Sequence, residues 1–192
     1  MAIENKFLET VTRSLSLELP LRNSMDEYLD MIIPLVKPWG EDLYEEKYYL
    51  DTRWLEVKDE DTFHESVLHI FRPEGEYLHS IDGNIHQGKW RKIDNSNTFI
   101  IEQTAGTTTT KSELYDLAFL NKDFFILKKH GDQRRKGFSK YFVLGREAYI
   151  KDLEWRDVME LLFNRYRSNS RYIMFAGFIL LIVIIFIFFS VL

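Results

Sequence analysis

Residues 67–90 read VLHIFRPEGEYLHSIDGNIHQGKW, and the fold class turns on how this stretch is parsed. Pro73-Glu74-Gly75 and Asp82-Gly83 are turn chemistry: proline presets one backbone angle, and Asp-Gly accepts the left-handed conformations that tight hairpins need. The runs around them, Ser66–Phe71, Glu76–Ile81 and Asn84–Ile93, have strand length and are rich in β-branched and aromatic residues. Runs joined this tightly can pair only antiparallel. Side chains alternate faces along a strand, so Tyr77, His79 and Ile81 share one face, and Gly88 and Trp90 share one face of the next strand.

The same reading extends outward. Tyr48–Val57 precedes the three runs, and Thr98–Gln103, Lys111–Phe119, Asp123–Lys129 and Ser139–Leu144 follow them. Asp94-Asn95-Ser96-Asn97 and Asn121-Lys122-Asp123 are polar connections of hairpin length. About eight short strands with short links predict a mainly β (α+β) chain. Its core would be an antiparallel up-and-down meander that loses its edges by closing into a barrel.

Helical signals flank the meander. Ile3, Phe7, Leu8, Val11, Leu15 and Leu19 approach helical spacing before Pro20. Ser24 followed by Met25-Asp26-Glu27 is a capping-box pattern, which predicts a helix from Met25 to Ile33 stopped by Pro34. After Tyr149, Leu153, Val158, Leu161, Leu162 and Tyr166 fall near one face and predict an amphipathic helix over Lys151–Arg167. The organisation is therefore an N-terminal helical segment (1–46), a β domain (47–150), a juxtamembrane helix and hinge (151–171) and a terminal apolar segment (172–192).

That last segment, YIMFAGFILLIVIIFIFFSVL, carries no charge over Tyr172–Leu192. At about 1.5 Å per helical residue it reaches about 30 Å, the thickness of a bilayer's hydrocarbon core. The expectation is a single-pass transmembrane tail anchor. Arg165, Arg167 and Arg171 precede it, which predicts that residues 1–171 face the cytoplasm. Zero cysteines agree with a reducing compartment and exclude thiol chemistry.

The net charge of −5 hides an asymmetry: residues 128–171 carry 12 basic and 6 acidic side chains, net +6, and residues 1–127 carry 13 and 24, net −11. An acidic main domain argues against nucleic acid as a partner. The basic run Lys128-Lys129-His130-Gly131-Asp132-Gln133-Arg134-Arg135-Lys136-Gly137 reads as a hairpin tip. Lys128, Lys129, Arg134, Arg135 and Lys136, with Arg165, Arg167 and Arg171, are the candidate contacts to anionic headgroups.

Catalytic motifs do not emerge. Gly106-Thr107-Thr108-Thr109-Thr110-Lys111-Ser112 imitates a phosphate-binding loop, but Thr110 stands where the second glycine belongs, and strands lie on both sides. His69, His79 and His86 fall on three consecutive strands, and three imidazoles suffice for an open zinc site. Their spacing alone does not make them converge, and no metal or other cofactor is expected.

The order His69-Ile70-Phe71, Gly75-Glu76-Tyr77, Gly88-Lys89-Trp90, Phe99-Ile100-Ile101, Leu114-Tyr115-Asp116-Leu117 and Phe124-Phe125-Ile126-Leu127 resembles the small bacterial lipocalin-like (calycin-type) barrels. Trp54 matches an opening-strand tryptophan, although Thr52 replaces the glycine usual before it. The resemblance implies an up-and-down barrel, often with a pocket for a small apolar ligand, and no catalytic residues. Tyr77, Trp90, Tyr115 and Phe125 are the candidate lining of such a pocket. The expected function is non-enzymatic: a tail-anchored protein whose cytoplasmic β domain holds a protein partner, or further copies of itself, at the membrane. The alternative is a barrel that binds a small apolar ligand or lipid at the membrane surface.

Overall fold

The computed structural model describes residues 19–59, 66–105, 108–131, 139–166, 179–180 and 182. Its centre is a closed antiparallel barrel of eight strands in sequence order. These are β1 (Trp54–Val57), β2 (Val67–Phe71), β3 (Glu76–Ile81), β4 (Asn84–Lys92), β5 (Thr98–Ala105), β6 (Thr108–Leu120), β7 (Phe124–Lys129) and β8 (Tyr141–Arg146). Closure comes from β1 against β8, with Trp54 opposite Arg146 and Val57 opposite Val143.

The turns behave as their residues require. Asp82 and Gly83, at φ of 47° and 86°, link β3 to β4 through two left-handed positions. Gly88 serves a different need: a Cβ there would lie 2.2 Å from the Glu102 carbonyl oxygen on β5 and 2.9 Å from the Tyr77 ring. Strand and ring approach this closely only because position 88 has no side chain.

Several stretches differ from the sequence reading: β5 ends two residues later than predicted, β6 starts three residues earlier, and the helix predicted from Lys151 begins at 155. The predicted strand over Tyr48–Val57 begins only at Trp54. Glu46–Tyr48 is a 3-10 turn, Asp51 adopts φ of 52°, and Tyr49 drives its ring into the end of the barrel. Aromatic density there marks a plug. β8 also lies two residues beyond the predicted Ser139–Leu144.

Helix α1 (Met25–Val36) is capped as its sequence directs: the Glu27 amide donates to the Ser24 Oγ at 3.3 Å, and the Glu27 carboxylate accepts from the Asn23 amide at 3.2 Å. It runs through Pro34 rather than stopping there. Proline deprives the Asp30 carbonyl of its helical partner, but Asp30 and Pro34 both lie on the exposed side, open to solvent. A short helix α2 (Glu147–Ile150) follows β8, and α3 is helical from 155 to 166.

Both long helices lay their apolar faces on the outside of the barrel. Tyr28, Leu29, Ile32 and Val36 of α1 and Trp155, Val158, Met159 and Leu162 of α3 form one buried cluster with Phe119, Phe124, Ile126 and Val143 of the wall. Tyr28 and Trp155 meet edge to face at 5.8 Å. β7 is therefore buried on both faces, with Phe124 and Ile126 outward and Phe125 and Leu127 inward. This explains its unbroken apolar run, FFIL.

Among the described residues no helix is long and apolar enough to cross a membrane. The predicted span lies outside them apart from residues 179, 180 and 182, which are helical. The helical pattern over residues 3–18 also lies outside them.

Candidate functional site

The barrel interior is divided. Near the starts of β1, β3, β5 and β7 it is solid: Tyr49, Trp54, Phe71, Phe99 and Phe125 are each fully buried, and Trp90 closes the group. The Tyr49 ring stacks on Phe125 at 5.4 Å and meets Trp90 and Phe99 edge on at 5.6 and 5.8 Å. Its hydroxyl donates to the Leu43 carbonyl at 3.1 Å. The Trp54 indole donates to the Tyr49 carbonyl at 3.2 Å, and the Trp90 indole donates to the Arg72 carbonyl at 2.8 Å. Every polar tip of the plug thus has a backbone partner, as burial demands.

The opposite half is a cup of about 210 Å³, and its walls are polar. Strand parity builds it: Glu56 lies two positions beyond Trp54, His69 two before Phe71, and Glu113 two before Tyr115. On one wall the His69 Nε2 lies 3.4 Å from Glu56 Oε2, and its Nδ1 lies 2.6 Å from the Tyr77 hydroxyl. With His69 as a neutral imidazole, these contacts assign Nε2–H as donor to the carboxylate and Nδ1 as acceptor from the phenol. Facing them, the Glu113 carboxylate accepts from the Tyr115 hydroxyl at 3.0 Å and pairs with the Lys111 and Lys129 ammonium groups at 2.8 and 3.2 Å. Burial alone would push the Glu113 carboxyl up; the Lys111 and Lys129 charges and the Tyr115 bond outweigh it and hold the group below its ordinary value. Glu113 is therefore ionised at neutral pH. Burial, with Glu56 and Glu113 nearby, pushes the Tyr77 phenol far above its usual value. Tyr115 is raised for the same reason, helped by its bond to Glu113. Both phenols keep their protons and act as hydrogen-bond donors.

The three strand histidines do come together. His69 stands opposite His79, and His79 opposite His86. Their ring centroids are 6.3 and 5.0 Å apart with planes within 16° and 21° of parallel. Stacked faces do not aim their nitrogens at a common point, and among the described residues no group of three or more His, Asp or Glu is placed to hold a metal ion. Burial and the two neighbouring imidazoles lower the His79 pKa, against a weaker opposing pull from Glu56.

The four residues expected to line a pocket are all inside the barrel, but they separate. Tyr77 and Tyr115 line the cup, and Trp90 and Phe125 belong to the plug. The expectation of an apolar lining missed Glu56, Gln103, Lys111 and Glu113. Parity counted from Trp54 and Tyr115 was the signal that could have found the two glutamates. Lys111 itself sits in a strand, so the phosphate-loop look-alike opens no helix.

The candidate membrane residues also separate. Lys128 is exposed, and Lys129 turns inward to Glu113; both close β7 at the cup end. Arg165 lies at the plugged end, where its guanidinium pairs at 2.5 Å with Asp123, in the loop that precedes β7. β7 separates the two groups by about 17 Å at roughly 3.3 Å per residue. Arg134, Arg135, Lys136, Arg167 and Arg171 lie outside the described residues.

A second cleft of about 330 Å³ lies outside the plugged end, between Lys37–Asp42 and β6, where Lys37, Glu41 and Asp42 spread toward solvent. Comparison with protein-family models, with curated proteins and with solved structures finds no match to this chain.

Proposed function

We propose that this chain is a membrane-held barrel of lipocalin-like architecture that binds a small, polar, water-borne ligand in its open half, without chemistry of its own. One observation carries the reading: half of the interior is densely packed with rings, while the other half is left as a cup of about 210 Å³ walled by paired but accessible polar groups. A barrel of this size can fill itself with side chains. Leaving charged groups inside instead has a desolvation cost that a ligand site justifies. The polar lining favours a polar ligand over the apolar one that the family resemblance implies. A protein partner or second copy fits less well, because α1 and α3 spend their apolar faces on the barrel.

The test is a screen of small polar solutes by saturation-transfer NMR against the full-length protein in nanodiscs. A Gln103→Trp variant, which fills the cup, serves as the comparison. Solutes that bind the parent and not the variant are expected. A screen with no binder, or with binders indifferent to the filled cup, overturns the reading.

In this proposal residues 172–192 anchor the chain with the domain on the cytoplasmic side, and the plugged end faces the bilayer. The support is the position of α3. Its last described turn rests at that end, where the Asn121 side-chain amide donates to the Tyr166 hydroxyl and Arg165 reaches Asp123. The cup then opens away from the lipid, toward a ligand arriving from water. Since the chain has no cysteine, single cysteines report this cleanly. A fluorophore at Lys122→Cys is expected to be quenched by headgroup-attached quenchers in liposomes, and one at Lys128→Cys is not. Stronger quenching at residue 128 would reverse the orientation.

A further inference from the structure

We infer that the ligand of the cup is a small methylated ammonium ion, held by Glu56 against a wall of aromatic rings; this rests on the cup being a ligand site at all. The two carboxylates of the cup are not equivalent. Glu113 already receives a phenol hydroxyl and two ammonium groups. Glu56 has, among the described residues, only the long 3.4 Å contact from His69, and its side chain keeps 24% of its surface open. It is the carboxylate left with capacity to neutralise a cation.

The rings supply the rest. Tyr77, Tyr115 and Phe142 line the same cup; Tyr77 and Tyr115 are almost fully buried, and Phe142 is the more open ring. Phe142 lies 5.6 Å from Tyr115 and meets His69 edge on at 5.0 Å, which ties the ring wall to the Glu56 side. Ring faces carry negative potential and attract cations, best of all cations whose charge is spread over methyl groups. Such an ion satisfies a carboxylate through charge alone, and its methyl groups pack against the rings. An anion would have to take Lys111 and Lys129 from Glu113 while facing both Glu56 and the rings. About 210 Å³ also suits an ion of this size and excludes a folded macromolecular segment.

Choline and its uncharged isostere 3,3-dimethyl-1-butanol isolate the charge. Isothermal titration would use the full-length protein in nanodiscs of phosphatidylglycerol and phosphatidylethanolamine, so that no lipid carries a choline group. Choline is expected to bind at least about tenfold more tightly than the isostere, and Glu56→Gln to erase that preference. The glutamine keeps the side-chain volume, and an unchanged melting curve would establish that the variant is folded. Equal binding of the isostere, retention of the preference by Glu56→Gln, or no choline binding at about 10 mM each overturns the ammonium assignment. The cup itself survives those outcomes if other solutes still lose binding in Gln103→Trp. Choline binding unaffected by Gln103→Trp overturns both readings.

Discussion

Phe125→Ala is expected to destabilise the protein by about 4 kcal/mol, the middle of the range for removing a buried ring. Phe125 is fully buried on the inner face of β7, and four other rings converge on it: Tyr49, Trp54, Phe71 and Phe99 lie between 5.4 and 5.9 Å from it, centroid to centroid. Truncation removes the hub of that contact set, and the strands around it cannot close the void without breaking ladder hydrogen bonds. For a chain of this length the loss corresponds to a fall in Tm of about 10 °C. Thermal unfolding followed by tryptophan fluorescence checks it, since Trp54 and Trp90 both report on the plug. A cost under about 1 kcal/mol would mean that the plug is loosely packed. Lys128→Ala, at the exposed end of the same strand, is the control, expected within about 0.5 kcal/mol of the parent.

Asp123→Ala is expected to cost about 3 kcal/mol by a different route. The side chain is 1% exposed and pairs with Arg146 at 2.7 Å and Arg165 at 2.5 Å. Its backbone carbonyl also accepts from the Arg146 amide at 2.9 Å. One buried carboxylate therefore ties β8 and α3 to the loop before β7. Removing it leaves two guanidinium groups facing each other without their counter-charge, which is the expensive way to break a buried pair. Both arginines keep a third or more of their side-chain surface in water, so the figure lies at the low end of the usual range. Asp123→Asn is expected to recover part of the loss, because the amide still accepts one hydrogen bond. Urea unfolding gives the magnitudes. Hydrogen exchange gives the location: protection in residues 155–166 should fall before that of β7. Uniform loss across the barrel would mean that Asp123 does not act as the tie for α3.

How much of this was legible beforehand depends on the range of the forces involved. The β2–β3–β4 hairpins lie in the stretch from Val67 to Trp90 because turn chemistry and alternation act over a few residues, and β3 begins and ends where the sequence reading put it. Ser24 and Glu27 announced the start of α1 for the same reason. Tyr48–Arg53 read as strand because composition does not distinguish a ring in a sheet from a ring plugging a barrel. Residue type alone makes Tyr77 and Tyr115 look like an apolar lining. Glu56 and Glu113 become site residues only once closure turns their strand faces inward.

The sequence alone determined the number and order of the strands, their antiparallel sense and the helix cap, since each follows from near neighbours in the chain. The tertiary structure decided which inward residues fill the barrel and which line a cup. It also stacked three histidines face to face rather than converging them, and put Lys128 and Arg165 at opposite ends. Those outcomes depend on register and on β1 meeting β8, contacts between residues some 90 positions apart. Pairing at that separation is set by how the whole core packs, which no short stretch of sequence encodes.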